Sequence, residues 1–197
     1  MRRVIFLLSL LFAVYGAAAP RYSVTLGMSK PFAPEELQRY WRSGFNLAAG
    51  IGVKLKPQLE LQGELLYNRL ELDDTAFLGN ITSATDVYSS VSGGATSITE
   101  LSARLKYFSQ SIKSTTPYLY LSLGGGLKVI AEKEVTTADR NYKEPRDSVF
   151  SPSTGIGLGA EVKMAKNSLL VVEGGFQLLW TDPTTVYLPL KIGVIVF

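Results

Sequence analysis

The sequence alternates apolar with small or polar residues, at a period of two, through most of its length. In the clearest segment, apolar side chains occupy every second position from Phe45 to Leu55. Successive side chains of a β-strand point to opposite faces, so this pattern predicts a strand with one wholly apolar face. Similar segments predict eight strands, at residues 21–28, 43–55, 58–71, 97–108, 116–130, 152–164, 168–180 and 185–197.

The amino terminus has the layout of a secretory signal peptide. A basic start at Arg2 and Arg3 is followed by an apolar run from Val4 to Val14, interrupted only by Ser9, and then by small residues. The run of 11 residues is too short for a membrane-spanning helix, which needs about 20. We therefore predict a signal peptide over residues 1–18 and an exported barrel domain over residues 19–197.

Two residue types are absent, and their absence excludes much chemistry. The chain has no cysteine and no histidine, so thiolate nucleophiles, disulfides and serine–histidine–acid triads cannot be built. There are 20 Lys and Arg against 17 Asp and Glu, and without Arg2 and Arg3 the balance is 20 − 2 = 18 against 17. This near-neutral chain has no electrostatic basis for a nucleic-acid partner. We also expect no enzymatic activity, cofactor or metal site.

The polar faces of the strands indicate which side of the sheet is interior. They carry many small residues, which weaken a solvent-facing strand but suit a narrow barrel lumen: Gly50, Gly52, Ser122, Gly124, Gly126, Gly155, Gly157 and Gly159. They also carry five acids and five bases, which we expect to line the lumen in pairs: Lys54, Glu60, Glu64, Glu100, Arg104, Lys106, Lys128, Glu161, Lys163 and Glu173. Both observations favour a barrel with its apolar face in lipid.

The connections and the aromatic residues favour the same arrangement. Links after the second, fourth and sixth strands are short, whereas those after the first, third and fifth are long. Aromatic side chains lie near strand ends on the apolar faces, with Tyr22 and Tyr107 at one rim and Phe45, Tyr67 and Trp180 at the other, where a membrane–water interface would hold them. The sequence thus predicts an eight-stranded, antiparallel, up-and-down transmembrane β-barrel; a secreted soluble barrel that binds an apolar ligand is the alternative.

The mature chain resembles the small outer-membrane β-barrel family of Gram-negative bacteria, the OmpA/OmpX-type barrels. The resemblance rests on the leader, on the segment from Trp41 to Gly52, and on an apolar last strand ending in Phe197. It implies an outer-membrane location, contact with outer-membrane lipid, and Phe197 as the terminal signal for the outer-membrane insertion machinery.

The last strand departs from the family pattern. Every second residue before Phe197 is Ile195, Gly193, Lys191 and Pro189, whereas the alternate register from Val186 to Val196 is far more apolar. Two explanations follow. Either a bulge near the end shifts the phase of the strand, or Phe197 packs differently from the family pattern.

The expected function is non-enzymatic and lies in the long connections. An eight-stranded barrel is nearly filled by its own side chains, so we expect a structural or interaction role, in envelope integrity or adhesion, through extracellular loops whose partner the sequence does not name. The alternative is a narrow passive pore through a glycine-lined lumen. One long connection is acidic, with Asp73, Asp74 and Asp86, which suits a solvated loop better than a Ca²⁺ site. A short helix is expected to begin at Pro34.

Overall fold

The computed structural model describes residues 19–81, 88–137 and 141–197. The signal peptide predicted over residues 1–18 lies outside the described residues and stays a prediction. No helix within the described ranges is long and apolar enough to cross a membrane.

Eight antiparallel strands close into a barrel in which neighbours along the chain are neighbours in the sheet. This confirms the predicted fold class. The barrel strands are β1 (Arg21–Ala33), β2 (Gly44–Lys56), β3 (Leu59–Leu70), β5 (Thr96–Phe108), β6 (Thr115–Ile130), β9 (Asp147–Ala165), β10 (Ser168–Leu179) and β11 (Thr185–Val196). Short turns join β2 to β3, β5 to β6 and β9 to β10, and we call this the short-turn end; the opposite end is the long-loop end.

The long connections contain five further elements. They are α1 (Glu35–Tyr40), α2 (Asp74–Ile81), β4 (Tyr88–Gly93), β7 (Lys133–Thr137) and β8 (Asn141–Glu144). The three strands form a separate sheet in the order β4-β7-β8. Helix α1 follows Pro34, which confirms the predicted start of a short helix. The sequence did not predict α2 or the small sheet, because these segments are short and lack a sustained alternation.

The barrel is apolar outside and polar inside. On β6, Leu119, Leu121 and Leu123 are exposed, whereas Tyr120 and Ser122 between them are buried. On the other barrel strands, exposed apolar side chains likewise alternate with buried ones. Many of the buried side chains are polar, and others form two apolar clusters, one around Ile98 and Leu179 and one around Phe108 and Ile195. A soluble barrel would bury its apolar face, so this arrangement is that of a membrane-spanning barrel.

The last strand follows the more apolar of its two registers. Val194 and Val196 face outward and Lys191 and Ile195 inward, and the pairing of β11 with β1 and β10 continues without a bulge to Val196. Phe197 lies just beyond the strand, and its backbone N–H donates to the carbonyl of Asn167 at 3.4 Å. The second explanation is therefore correct: Phe197 packs differently from the family pattern.

Replacing a lipid-facing leucine by arginine should destabilise the barrel in a bilayer. Leu121 is 53% exposed at mid-strand, and Leu121→Arg should cost about 2–4 kcal/mol because the charge would lie in hydrocarbon. The measurement is the free energy of folding into phospholipid vesicles by denaturant titration. Ile112→Arg is the matched control, since Ile112 is 68% exposed but belongs to a short turn outside the strands. Equal costs for the two variants would contradict the assignment of the outer face to lipid.

Candidate functional site

The glycine-rich inner face of β9 makes room for large side chains of β6. Gly157 and Gly159 lie directly across the strand pair from Tyr120 and Tyr118, whose rings are buried in the lumen. A Cβ atom on either glycine would collide with the tyrosine opposite it. These glycines therefore let the lumen be filled by aromatic rings; they do not leave an open passage along β9.

The middle of the lumen is held by a network of four charged groups. Arg104 donates to Glu64 and to Glu173, the latter at 2.9 Å. Lys191 donates to Glu64 at 2.8 Å and lies 2.6 Å from Glu173 Oε1. Tyr118 donates its hydroxyl proton to Glu173 at 2.6 Å. Each cation thus bridges both carboxylates, which is the arrangement that keeps buried charges compensated.

A second network lies nearer the short-turn end. Arg21 donates to Glu60 and to Glu161, the latter at 2.6 Å. Lys106 Nζ lies 4.0 Å from Glu60 and 4.8 Å from the centre of the Tyr118 ring. This network connects β1 to β3 and β9, neither of which is hydrogen-bonded to β1 in the sheet.

A third network, nearer the long-loop end, is largely uncharged. The Tyr187 hydroxyl donates to Glu100, and Asn68 donates to the Tyr187 oxygen at 3.2 Å. Ser29 donates to Asn68 at 2.6 Å, and Asn46 donates to Ser29 at 3.0 Å. Among the described residues, Glu100 is a buried lumen carboxylate without a cation in ion-pair contact, and Tyr187 and Ser153 supply side-chain hydrogen bonds to it.

Most of the charges predicted to line the lumen are buried in it. Lys54 and Lys128 are half-buried, and Lys128 donates to Thr185 at 3.0 Å. Lys163 is exposed at the short-turn rim. The remaining seven are buried: Glu60, Glu64, Glu100, Arg104, Lys106, Glu161 and Glu173.

Sequence reasoning missed two central members of the networks. Arg21 and Lys191 are both buried, and both bridge two glutamates. Each occupies the polar face of its own alternation, opposite Tyr22 on β1 and opposite the Val186–Val196 series on β11. Both residues can be identified from the sequence as members of the polar faces of the first and last strands.

The aromatic residues predicted for the membrane interface lie near the two rims. Tyr22 and Tyr107 are exposed near the short-turn end, where Tyr22 pairs with Val196 at the end of β11. Phe45 and Trp180 are exposed near the long-loop end. Tyr67 is half-buried there, with its ring centre 5.9 Å from that of Phe45. Phe150, which no prediction named, is also exposed on the outward face of β9.

The long connections pack into one body, which we call the loop platform: β4, β7, β8, α1 and α2. Its centre is a buried cluster of Leu72, Val91 and Val135, against which Trp41 and Phe77 pack. Val91 and Val135 face each other across the β4–β7 pair, although they belong to different connections. The platform is therefore a small apolar core outside the barrel, built from segments far apart in sequence.

Polar contacts join the long connections to one another beside the barrel rim. The Trp41 indole N–H donates to the carbonyl of Gly94 at 3.0 Å, and Gly94 has a positive φ of 72° that glycine adopts without strain. Arg42 donates two hydrogen bonds to Asp73, both at 2.9 Å, and the backbone N–H of Ala76 donates to Asp73 at 3.1 Å. These bonds lower the pKa of Asp73 to about 2, so the contact persists at neutral and mildly acidic pH and is lost as the pH falls towards that value.

The acidic connection does not assemble a cation site in the part of the chain that the structure describes. Asp73 is engaged by Arg42 and by the first turn of α2, and Asp86 lies outside the described residues. No group of three or more potential metal ligands occurs among the described residues.

The barrel resembles solved outer-membrane barrels over almost its whole length. Neisserial surface protein A matches with a TM-score of 0.58 and 14% identity, over 90% of this chain and 96% of that chain. A major outer membrane protein from Thermus thermophilus matches with a TM-score of 0.55 and 17% identity, over 90% and 99%. Ail, the attachment invasion locus protein of Yersinia pestis, matches with a TM-score of 0.50 and 14% identity, over 89% and 97%.

The chain has the fold of the small outer-membrane β-barrels. This confirms the fold expected from the alternation and from the family resemblance, and it agrees with the expected outer-membrane location. At identities this low the similarity is one of fold. No family model matches the sequence, and no curated protein matches it significantly.

Removing the central arginine should destabilise the barrel strongly. Arg104→Met leaves Glu64 and Glu173 with only Lys191 to compensate them, and breaking a buried ion network in this way costs about 3–5 kcal/mol. Arg69→Met is the matched control, because Arg69 and its partner Glu71 are both exposed, and such pairs contribute about 0–1 kcal/mol. Denaturant titration in phospholipid vesicles measures both variants. A cost for Arg104→Met as small as that of the control would show that the network is hydrated and contributes little.

Proposed function

We propose that this chain is a non-enzymatic outer-membrane barrel whose loop platform binds an extracellular partner, in adhesion or in maintaining the envelope. The observation that carries the proposal is the apolar core of the platform. Solvated connecting loops need no core of their own, whereas a binding surface needs residues held in fixed positions. Leu72, Val91 and Val135 provide that rigidity outside the barrel.

The surface of the platform offers both charged and aromatic groups. Lys133 pairs with Glu144 at 2.7 Å, and Lys143 lies 3.5 Å from Glu134, so the β7–β8 hairpin presents paired rather than single-sign charge. Tyr142 on the same hairpin is exposed. A hairpin with an exposed aromatic and balanced charges suits contact with another protein better than capture of a highly charged polymer.

The barrel itself supports a structural role. The three lumen networks and the buried tyrosines occupy the interior, which argues against bulk passage of solutes. On the outside, Tyr22, Phe45, Tyr67, Tyr107 and Trp180 are proposed to anchor the barrel at the two membrane–water interfaces. We further propose that Phe197, exposed at the end of the last strand, is read by the outer-membrane insertion machinery. The absence of histidine and cysteine supports a role without catalysis.

Disrupting the platform core should abolish partner binding and spare the barrel. Val135→Asp places a carboxylate in the buried cluster, so we expect loops that are cut readily by protease, loss of adhesion to matrix-coated or cell-coated surfaces, and an unchanged heat-dependent mobility shift of the barrel on gels. Bacteria displaying each variant at equal surface density are compared. Val149→Asp is the control, since Val149 is exposed and the substitution is the same. Adhesion retained by Val135→Asp with an opened platform would contradict the proposal.

The second candidate function is a narrow pore, and conductance separates it from the first. In planar bilayers, the purified protein should show no steady single-channel steps if, as we propose, the side chains of the lumen networks leave no continuous passage. Steady, voltage-independent steps that change in size in Arg104→Met would support the pore and contradict the filled lumen.

A further inference from the structure

The lumen opens at the short-turn end into a cavity of about 450 Å³. Its polar wall contains Arg21, Lys54, Lys113 and Lys163, with the hydroxyl groups of Ser111, Ser114 and Thr116 beside them. Leu169 and Phe197 form an apolar edge. The volume lies within the range of pockets that hold small organic molecules, roughly 300–1,000 Å³.

Positive charge in this cavity is not compensated as it is elsewhere in the lumen. Among the side chains that line it, Glu161 is the acidic one, and Glu161 is already bound by Arg21, which also holds Glu60. Within the described residues, Lys54, Lys113 and Lys163 form no ion pair. In contrast, the deeper cations Arg104 and Lys191 each contact two carboxylates.

Lys54 is one of these lysines without an ion pair. Lys54 is half-buried, and its ammonium group lies 4.1 Å from the centre of the Phe108 ring. A cation–π contact stabilises an ammonium group but leaves its hydrogen-bond donors free. Those donors are at the wall of the cavity.

Lys113 reaches the cavity through a strained backbone. It has a φ of 59°, and it is the sole non-glycine residue with positive φ in the part of the chain that the structure describes. It lies in a two-residue turn closed by two backbone hydrogen bonds between Ile112 and Thr115, of 2.8 and 3.1 Å. Glycine or asparagine suits such a position better than lysine. Residues with a strained backbone are found more often at functional sites than elsewhere. In this turn, the strained residue adds a third ammonium group without an ion pair to the cavity wall.

We infer that this cavity binds a phosphate group, carried by a small soluble phosphate ester or by a phospholipid headgroup. Three ammonium groups are point charges that can converge on the several oxygens of one phosphate, whereas a planar carboxylate is better matched by the fork of an arginine. The serine and threonine hydroxyls supply further donors. The apolar edge at Leu169 and Phe197, where Leu169 is paired with Lys163 across the β9–β10 strands, would contact the carbon part of the ligand.

The test is calorimetric titration of the full chain, expressed in a Gram-negative host and extracted from its membranes in a neutral detergent at low ionic strength. The two probes are sn-glycerol 3-phosphate and dihexanoylphosphatidylglycerol. The test variant is Lys54→Gln with Lys163→Gln. The matched control is Lys56→Gln with Lys166→Gln, which removes the same charge at the same end of the barrel from exposed lysines outside the cavity.

We expect wild-type protein to bind at least one probe, the test variant to bind it about tenfold or more weakly, and the control to stay within about twofold, because only the test variant loses charge-assisted hydrogen bonds. Binding of both probes identifies the phosphate group itself as the ligand, and binding of the lipid alone identifies a headgroup. No binding of either probe, or equal weakening in both double variants, would overturn the inference.

A third variant tests the strained turn. Lys113→Gly should raise the thermal stability of the barrel, since glycine fits the positive φ, and should weaken phosphate binding, since one ammonium group is lost. Full affinity in this variant would show that the site does not use three lysines and would contradict the inference as stated.

Discussion

The structure depends on compensating the charges inside the barrel. A bilayer outside the barrel receives the apolar faces of the strands, so the interior holds, beside two buried apolar clusters, many polar groups that must satisfy one another. The buried cations Arg21, Arg104 and Lys191 each contact two glutamates from other strands. Each cation contacts a glutamate on at least one strand that is not its neighbour in the sheet, so a shift in register would separate the partners and leave charges unpaired. The ion networks thus specify the register, which the apolar outer face alone would leave open.

The alternation predicts the strands and the orientation of their apolar faces towards lipid. It does not predict which side chains pair with one another inside the barrel. Period-two patterning is local, and every barrel strand could be found from it. Whether Arg104 meets Glu173, 69 residues away, depends on how the sheet closes, which no window of sequence contains. The glycines illustrate the same limit: their presence predicted a narrow lumen, yet only the pairing shows that Gly157 and Gly159 lie opposite Tyr120 and Tyr118. The loop platform was missed because β4 and β7 become strands only by pairing across two connections.

The two ends of the barrel are chemically different, and the lumen networks separate them. At the long-loop end, apolar residues form a second core and the charges of the β7–β8 hairpin are paired. At the short-turn end, lysines without carboxylate partners surround an open cavity. The barrel fold requires neither the apolar core of the loop platform nor the lysines around the cavity, because residues of many kinds can form alternating strands and short turns. Both features therefore need an explanation other than the barrel pattern.

Barrels of this fold share little sequence with this chain. Chains that share 14–17% of their residues adopt this barrel, so the fold constrains the type of residue on each face and little else. Residues that oppose the fold's own preferences are then the most informative. Lys113 occupies a backbone conformation that glycine would adopt more easily, and Lys54 is half-buried without a carboxylate. Each lowers the stability of the barrel, and a bound anion at the short-turn end accounts for both.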